Sequence, residues 1–303
     1  MKTMMTTVAA MVLGSLAARF SAADSAAGAG DSPPAAADKS VYNFFNPTPA
    51  GQLRDMDTDR PNKSNTPHTV DAGHFQLETG LLDFLHFRDR SSGNNARNDN
   101  LALGQFNLRV GVLNNLELNA AFEAYDFNRN HDLAAAQSSR QNGHGDLIVG
   151  GKLNLWGNDG ADAAWAAGLA IQPQIKIPTA RQELGNGHPE LAIGLPFVMN
   201  LPENFHLGLQ TTGLWIRSAD NTGAVAGWQN SISLDRVFFD KADFYLEYWS
   251  QVTTERHRKS QGTVDLGVVY QLTANMSLDS GVNLGVNNAS PTLELFLGMT
   301  IRY

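Results

Sequence analysis

Charged side chains recur on one face of the alternating segments that fill the chain beyond residue 72. In each segment every second residue is polar, and residues at that spacing point to the same side of an extended strand. Ten of the fourteen charged residues on this face are acidic. The fourteen are Glu78, Arg109, Glu117, Glu123, Asp146, Lys152, Lys176, Glu190, Asp243, Glu247, Asp265, Asp279, Glu294 and Arg302.

Two interpretations of this row stay open at the level of sequence. If water fills the space that it faces, an acidic lining favours the passage of cations. If the acids pair with Arg109, Lys152, Lys176 and Arg302, the interior is a polar filling that conducts nothing. All fourteen residues except Asp146 and Glu190 are our candidates for lumen-lining residues.

Catalytic and metal sites find weaker support. Residues 55–59 imitate the start of a calcium loop, but Arg60 stands at the glycine position and Thr66 at the position of the final glutamate. An outer-membrane phospholipase needs a serine and a histidine together on the lipid face. Ser250 and Ser280 point outward, but no histidine lies beside them. We therefore expect no enzyme, no cofactor and no metal.

The elements that must position the charged row are strands. Apolar and polar residues alternate in twelve segments, and the short spacers between them are rich in turn residues. The predicted strands are 73–87, 102–112, 116–127, 146–156, 163–177, 190–201, 205–217, 224–235, 242–253, 263–272, 276–286 and 293–303.

Two further features favour a closed transmembrane barrel. The spacers alternate between long, such as 88–101 and 128–145, and short, such as 113–115, as in barrels with long external loops and short periplasmic turns. The stretch from Leu293 to Tyr303 is fully alternating and ends on an aromatic residue, like the C-terminal signature that the barrel-assembly machinery recognises. The fold class predicted is a 12-stranded antiparallel transmembrane β-barrel.

The N-terminal part reads as targeting and connecting sequence. Residues 1–23 have a basic start, an apolar run and small residues before Asp24, which predicts a removed signal peptide. Residues 24–72 are expected to be a flexible periplasmic leader that can also act as a plug, ahead of the barrel at 73–303. The chain has no cysteine, so disulfides and thiolate chemistry are absent.

The charge and the export signal limit the partners. The formal net charge is −8, which argues against binding to nucleic acid. We expect the protein in the bacterial outer membrane, with membrane lipid, lipopolysaccharide, the assembly machinery and small-molecule solutes as partners.

Several motifs resemble one known family. They are Thr58-Asp59-Arg60-Pro61, residues 65–70, residues 73–80, residues 108–118, residues 145–153 and residues 265–275. They are similar to motifs of the family called putative MetA-pathway of phenol degradation, whose members are outer-membrane barrels often labelled transporters. Lys63 stands where the family more often has an acidic or apolar run. The resemblance supplies no catalytic residue.

The function expected is therefore an outer-membrane channel. It would pass small solutes, aromatic or cationic ones among them, by diffusion through a polar, acidic lumen. The alternative is a filled structural or surface-interaction barrel without transport activity.

Overall fold

The computed structural model describes residues 38–88, 96–132, 137–159, 163–181, 184–239, 241–256 and 258–303. The predicted signal peptide and the first part of the predicted leader lie outside these residues. No helix of the described chain is long and apolar enough to cross a membrane. The described chain contains short 3-10 turns at Ala50–Gln52 and Pro202–Asn204.

The alternating segments form an antiparallel sheet that closes on itself. Its strands are β1 (Phe75–Arg88), β2 (Ala96–Leu113), β3 (Leu116–Asp132), β4 (Gln137–Gly143), β5 (Leu147–Trp156), β6 (Ala167–Ile177), β7 (Glu190–Leu201), β8 (Phe205–Arg217), β9 (Ala224–Phe238), β10 (Ala242–Thr253), β11 (Gln261–Thr273), β12 (Met276–Gly285) and β13 (Leu293–Arg302). All of them except β4 form the barrel wall, which confirms the predicted twelve strands.

The last strand closes the barrel against the first. β13 pairs antiparallel with β1, and Phe75 and Tyr303 exchange backbone hydrogen bonds of 3.1 and 2.8 Å. Along β13, Leu295 and Leu297 are 43% and 44% exposed, whereas Phe296 between them is 6% exposed. The apolar row therefore covers the outer face, and closure leaves no edge strand free for unwanted pairing.

β4 lies outside the wall, in a stretch that we predicted to be loop. It pairs with the second half of β3, from Asp126 to Asp132, while the first half of β3 pairs with β5. β2 likewise begins at Ala96, inside the predicted loop 88–101. Strand β4 and the first part of β2 are rich in Asn, Asp, Gln and Arg. They have no apolar row, so backbone pairing continues where the hydrophobic alternation used for the prediction has ended.

A bulge reverses the facing of side chains in the upper part of β1. The register between β1 and β13 shifts between Gly80 and Leu82. Beyond it Leu85 pairs with Glu294 and Asp83 with Phe296, so both lie on the inner face. Strict alternation along the predicted strand 73–87 places Leu85 on the outer face with Phe75 and Leu77, and His86 on the inner face with Glu78. This prediction is wrong for Leu85 and His86 because one inserted residue inverts the parity.

Candidate functional site: the polar segment inside the barrel

Residues 53–72 lie inside the barrel. Side chains or backbone groups of this segment hydrogen-bond to eleven of the twelve wall strands, which only a segment enclosed by the wall can do. The wall partners are Glu78 (β1), Arg109 (β2), Glu117 (β3), Lys152 (β5), Gln172 (β6), Gln210 (β8), Ser231 (β9), Glu247 (β10), Asp265 (β11), Asp279 (β12) and Arg302 (β13). We call residues 53–72 the inner segment.

Arg109 is the centre of a buried ion-pair cluster. Its guanidinium binds Glu117 through two nitrogens, at 2.8 and 2.9 Å, and Glu78 through a third contact at 2.9 Å. Arg109 also donates to the carbonyl of His68 in the inner segment at 2.9 Å. All three charged side chains are at most 1% exposed. A planar guanidinium that bridges two carboxylates in this way fixes their geometry.

Lys152 connects this cluster to the inner segment. Its Nζ lies 2.6 Å from Asp59 and 3.6 Å from Glu117. The carboxylate of Glu117 in turn accepts the backbone N–H of Val70 at 2.7 Å. Asp59 and Val70 of the inner segment are thus bound to the same part of the wall.

The part of the wall formed by β11 and β12 is acidic, and the inner segment supplies its cations. Arg60 pairs with Asp279 at 3.0 Å, and Lys63 pairs with Asp265 at 2.9 Å. Both aspartates are buried, with side chains 1 to 2% exposed. Because an unpaired buried carboxylate is costly, these pairs hold the segment against β11 and β12.

Ser64 and Asn65 form the middle layer of the segment, which we call the barrier layer. Ser64 donates its N–H and its hydroxyl to Glu247 Oε1 at 2.7 and 2.6 Å, and its Oγ lies 2.7 Å from Ser231 Oγ. Asn65 donates to Gln210 at 2.7 Å and to Gln172 at 2.8 Å. The barrier layer is therefore bonded to the part of the wall that runs from β10 to β6.

Further contacts anchor the segment beside the short turns. Arg54 donates to Asp159 at 2.9 Å and to the carbonyls of Thr69 and Asn114. Lys39 lies 3.1 Å from the same Asp159. Burial alone would raise the pKa of Asp159, but the hydrogen bond from Asn114 and the cation of Arg54 outweigh it and lower that pKa.

Eight of the twelve candidate residues contact the inner segment: Glu78, Arg109, Glu117, Lys152, Glu247, Asp265, Asp279 and Arg302. The other four have different surroundings. Lys176 pairs with Asp146 and Glu190, and Glu294 accepts from Asn283. Within the described residues, Glu123 Oε1 and Asp243 Oδ1 have no hydrogen-bond partner.

Two cavities lie on opposite sides of the barrier layer. One, of about 660 Å³, opens toward the long loops and is lined in part by Gln174, Gln229 and Gln251. The other, of about 290 Å³, lies toward the short turns and is lined in part by Ser64, Ser233 and Asp243. We call them the loop-side and the turn-side cavity.

The barrier between the cavities is thin. Gln229, Ser231 and Ser233 share the inner face of β9; the first borders the loop-side cavity, the last borders the turn-side cavity, and Ser231 binds Ser64. Four residues of strand extend about 13 Å at 3.3 Å per residue. One layer of hydrogen-bonded side chains thus separates the two cavities along this wall.

Sequence reasoning missed several residues of this site. The inner segment has no clean period, so the partners of Asp59, Arg60, Lys63 and Ser64 could not be read from it. Asp235 was not among the candidates, although it follows the outward-facing Leu234 and alternation therefore places it on the inner face. The residues of the imitated calcium loop serve protein contacts instead: Asp57 binds His68 at 2.7 Å, and Asp59 binds Lys152.

Comparison with known families and structures agrees with the barrel. The family described as "Putative MetA-pathway of phenol degradation" matches residues 58–303. No curated protein matches the chain.

Among solved structures, the COG4313 outer membrane channel from Pseudomonas putida F1 superimposes with a TM-score of 0.60 at 13% identity, over 76% of this chain and 95% of that chain. The NanC porin, at 10% identity over 75% of this chain and 98% of that chain, has a TM-score of 0.43. The KdgM porin has a TM-score of 0.44 at 9% identity, over 75% of this chain and 98% of that chain. The similarity to the COG4313 channel shows a shared fold. The TM-scores of the two porins are too low to support a conclusion.

Proposed function

This chain belongs to the family of the MetA pathway of phenol degradation, and from that premise we propose that it is an outer-membrane channel for small solutes. Solutes enter the loop-side cavity, pass the barrier layer when it moves aside, and leave through the turn-side cavity. The observation that carries the proposal is the single layer, Ser64 and Asn65, between two cavities on one wall. A barrel built only as a scaffold has no need of two aligned cavities.

The proposal places the long loops outside the cell and the short turns in the periplasm, as in other barrels of this kind. The exposed apolar rows then meet lipid, the rim of the loops meets lipopolysaccharide, and the stretch from Leu293 to Tyr303 is handed to the assembly machinery. Residues 1–23 serve as the export signal. Residues 24–72 begin as a periplasmic leader and continue into the inner segment.

Charge favours cations along this route. Arg60 and Lys63 pair with Asp279 and Asp265, but the ion pairs of the described residues include none for Asp235 or Asp243. An excess of acidic groups beside the exit attracts cations and repels anions. The family description also makes small aromatic solutes candidates for transport.

A filled barrel without transport is the second candidate. It is favoured by the density of bonds on the inner segment, which reaches eleven wall strands. In that case the segment is a structural core, and its polar contacts replace the apolar core of a soluble protein. We infer a non-enzymatic role in both cases.

Single-channel conductance tests the proposal. The full mature chain in a planar bilayer should show discrete openings with a preference for cations. A membrane that stays silent, both with the native chain and with variants that weaken the barrier layer, would favour the filled barrel.

A further inference from the structure

The turn-side cavity contains polar side-chain atoms that have no hydrogen-bond partner. Within the described residues, Ser233 Oγ, Asp235 Oδ1, Asp243 Oδ1 and Tyr245 Oη are all buried without a hydrogen bond, and all four residues line this cavity. Ser233 is 1% exposed and Tyr245 is 5% exposed. Buried polar atoms without partners are rare in folded proteins, so four around one cavity are available to bind a ligand.

The strand register brings these four residues together. Asp235 of β9 lies directly opposite Tyr245 of β10. Ser233 and Asp243 are two residues away from them on the same strands, and so on the same inner face. All four atoms are carboxylate or hydroxyl oxygens that can accept from one donor group placed between the two strands.

The charged neighbours bind neither aspartate in an ion pair within the described residues. Arg60 lines the cavity but is bound by Asp279, and Asp57 is held by His68. Lys241 lines the cavity from the exposed turn, and its ammonium has no ion pair within the described residues. His206 of β8 lies opposite Asp235. Two carboxylates thus face one solvated lysine and one histidine.

Part of the remaining wall of the cavity is apolar. Val237 on β9 and Val269 on β11 line it from the inner face, with Met56 and Pro61 of the inner segment opposite. The volume of about 290 Å³ lies at the lower limit of ligand pockets, which suits a molecule of few atoms. The site combines a carboxylate end with a small apolar side.

We propose that the turn-side cavity binds a small primary ammonium with a short apolar substituent. The ammonium has three N–H donors and a positive charge, which match Asp235, Asp243 and the hydroxyl of Tyr245. The apolar substituent lies against Val237 and Val269. This inference rests on the proposed channel only for the route by which the ligand arrives, because binding itself needs no conduction.

Isothermal titration of butylammonium into the full mature chain in detergent tests the proposal. We expect saturable binding. The uncharged butan-1-ol should not bind, and tetramethylammonium, which has the charge but no N–H donor, should bind more weakly. The double variant Asp235→Asn with Asp243→Asn should weaken butylammonium by about tenfold or more, because it removes two charge-assisted bonds.

Two further variants keep the test decisive. Asp220→Asn, in an exposed turn at the long-loop end, is the matched control and should bind like the native chain. Tyr245→Phe removes one acceptor without changing charge, and it should weaken binding even if the double variant fails to fold. Absence of saturable binding, equal affinity for butan-1-ol, or native affinity in both the double variant and Tyr245→Phe would overturn the proposal.

Conductance separates this inference from the proposed function. If the chain binds butylammonium but carries no current, the proposed binding site is supported and the proposed channel is contradicted. If the chain conducts but binds no butylammonium, the proposed channel is supported and only the proposed binding site is contradicted.

Discussion

Ser64 donates both its backbone N–H and its hydroxyl to one carboxylate oxygen, Oε1 of Glu247, at 2.7 and 2.6 Å. The second oxygen of the same carboxylate accepts the N–H of Lys63 at 2.7 Å. Glu247 is 1% exposed, so one wall side chain fixes the backbone of the inner segment at the barrier layer. In the proposed channel, this contact holds the barrier layer in place.

Glu247→Ala should open the barrier layer. The substitution removes three acceptor bonds from Lys63 and Ser64, each worth about 1.5 to 3 kcal/mol to a charged group. Single-channel recording should show more frequent or longer openings than in the native chain. Glu203→Ala, at an exposed turn, is the control and should leave the openings unchanged. Fewer openings in Glu247→Ala would contradict the barrier role.

Arg109→Met should destabilise the barrel strongly. It leaves Glu78 and Glu117 buried without their cation, and breaking a buried pair in this way costs about 3 to 5 kcal/mol. Urea unfolding in detergent measures the loss. Arg256→Met, at an exposed position in the loop after β10, should cost less than about 1 kcal/mol. Equal midpoints for the two variants would show that the cluster around Arg109 contributes little.

Lys63→Gln should increase the preference for cations. The ammonium of Lys63 is the ion-pair partner of Asp265, so its removal leaves a wall carboxylate facing the route. The reversal potential in a salt gradient measures the ratio of cation to anion permeability. Lys259→Gln, at an exposed loop position, controls for net charge. A ratio that falls in Lys63→Gln would place Asp265 outside the conducting path.

Acid should weaken the anchoring beside the short turns. The pKa of Asp159 is lowered in the folded protein, so its contribution to stability is fully present above the unfolded pKa of about 3.9 and disappears as the pH falls through the folded value. Asp159→Asn should therefore lose less stability than the native chain between neutral pH and about pH 2. Parallel losses would mean that Asp159 adds nothing to the anchoring.

Much of the wall was predictable from the sequence. The alternation of apolar and polar residues in segments such as 263–272 is strong because each wall strand has an apolar outer face and a polar inner face. The terminal stretch up to Tyr303 indicated closure, and it pairs with β1. The parity change after Gly80 was not predictable, because a bulge adds one residue without a distinctive pattern.

The partners of the inner segment were beyond sequence reasoning. Asp59 and Lys152 are 93 residues apart, and Ser64 and Glu247 are 183 apart. Such pairs depend on the path that an aperiodic segment takes through a closed space, and no local spacing encodes it. The acidic row itself was visible in the sequence, but its ion pairs with Arg60 and Lys63 were not.

A disulfide across the barrier layer tests the central claim most directly. The chain has no cysteine, and Ser64 Oγ lies 2.7 Å from Ser231 Oγ, so Ser64→Cys with Ser231→Cys places two thiols within bonding reach. We predict no conductance in the oxidised variant and cation-preferring openings after reduction, with each single variant indifferent to reductant. Conductance that is the same in both redox states would contradict passage across the barrier layer.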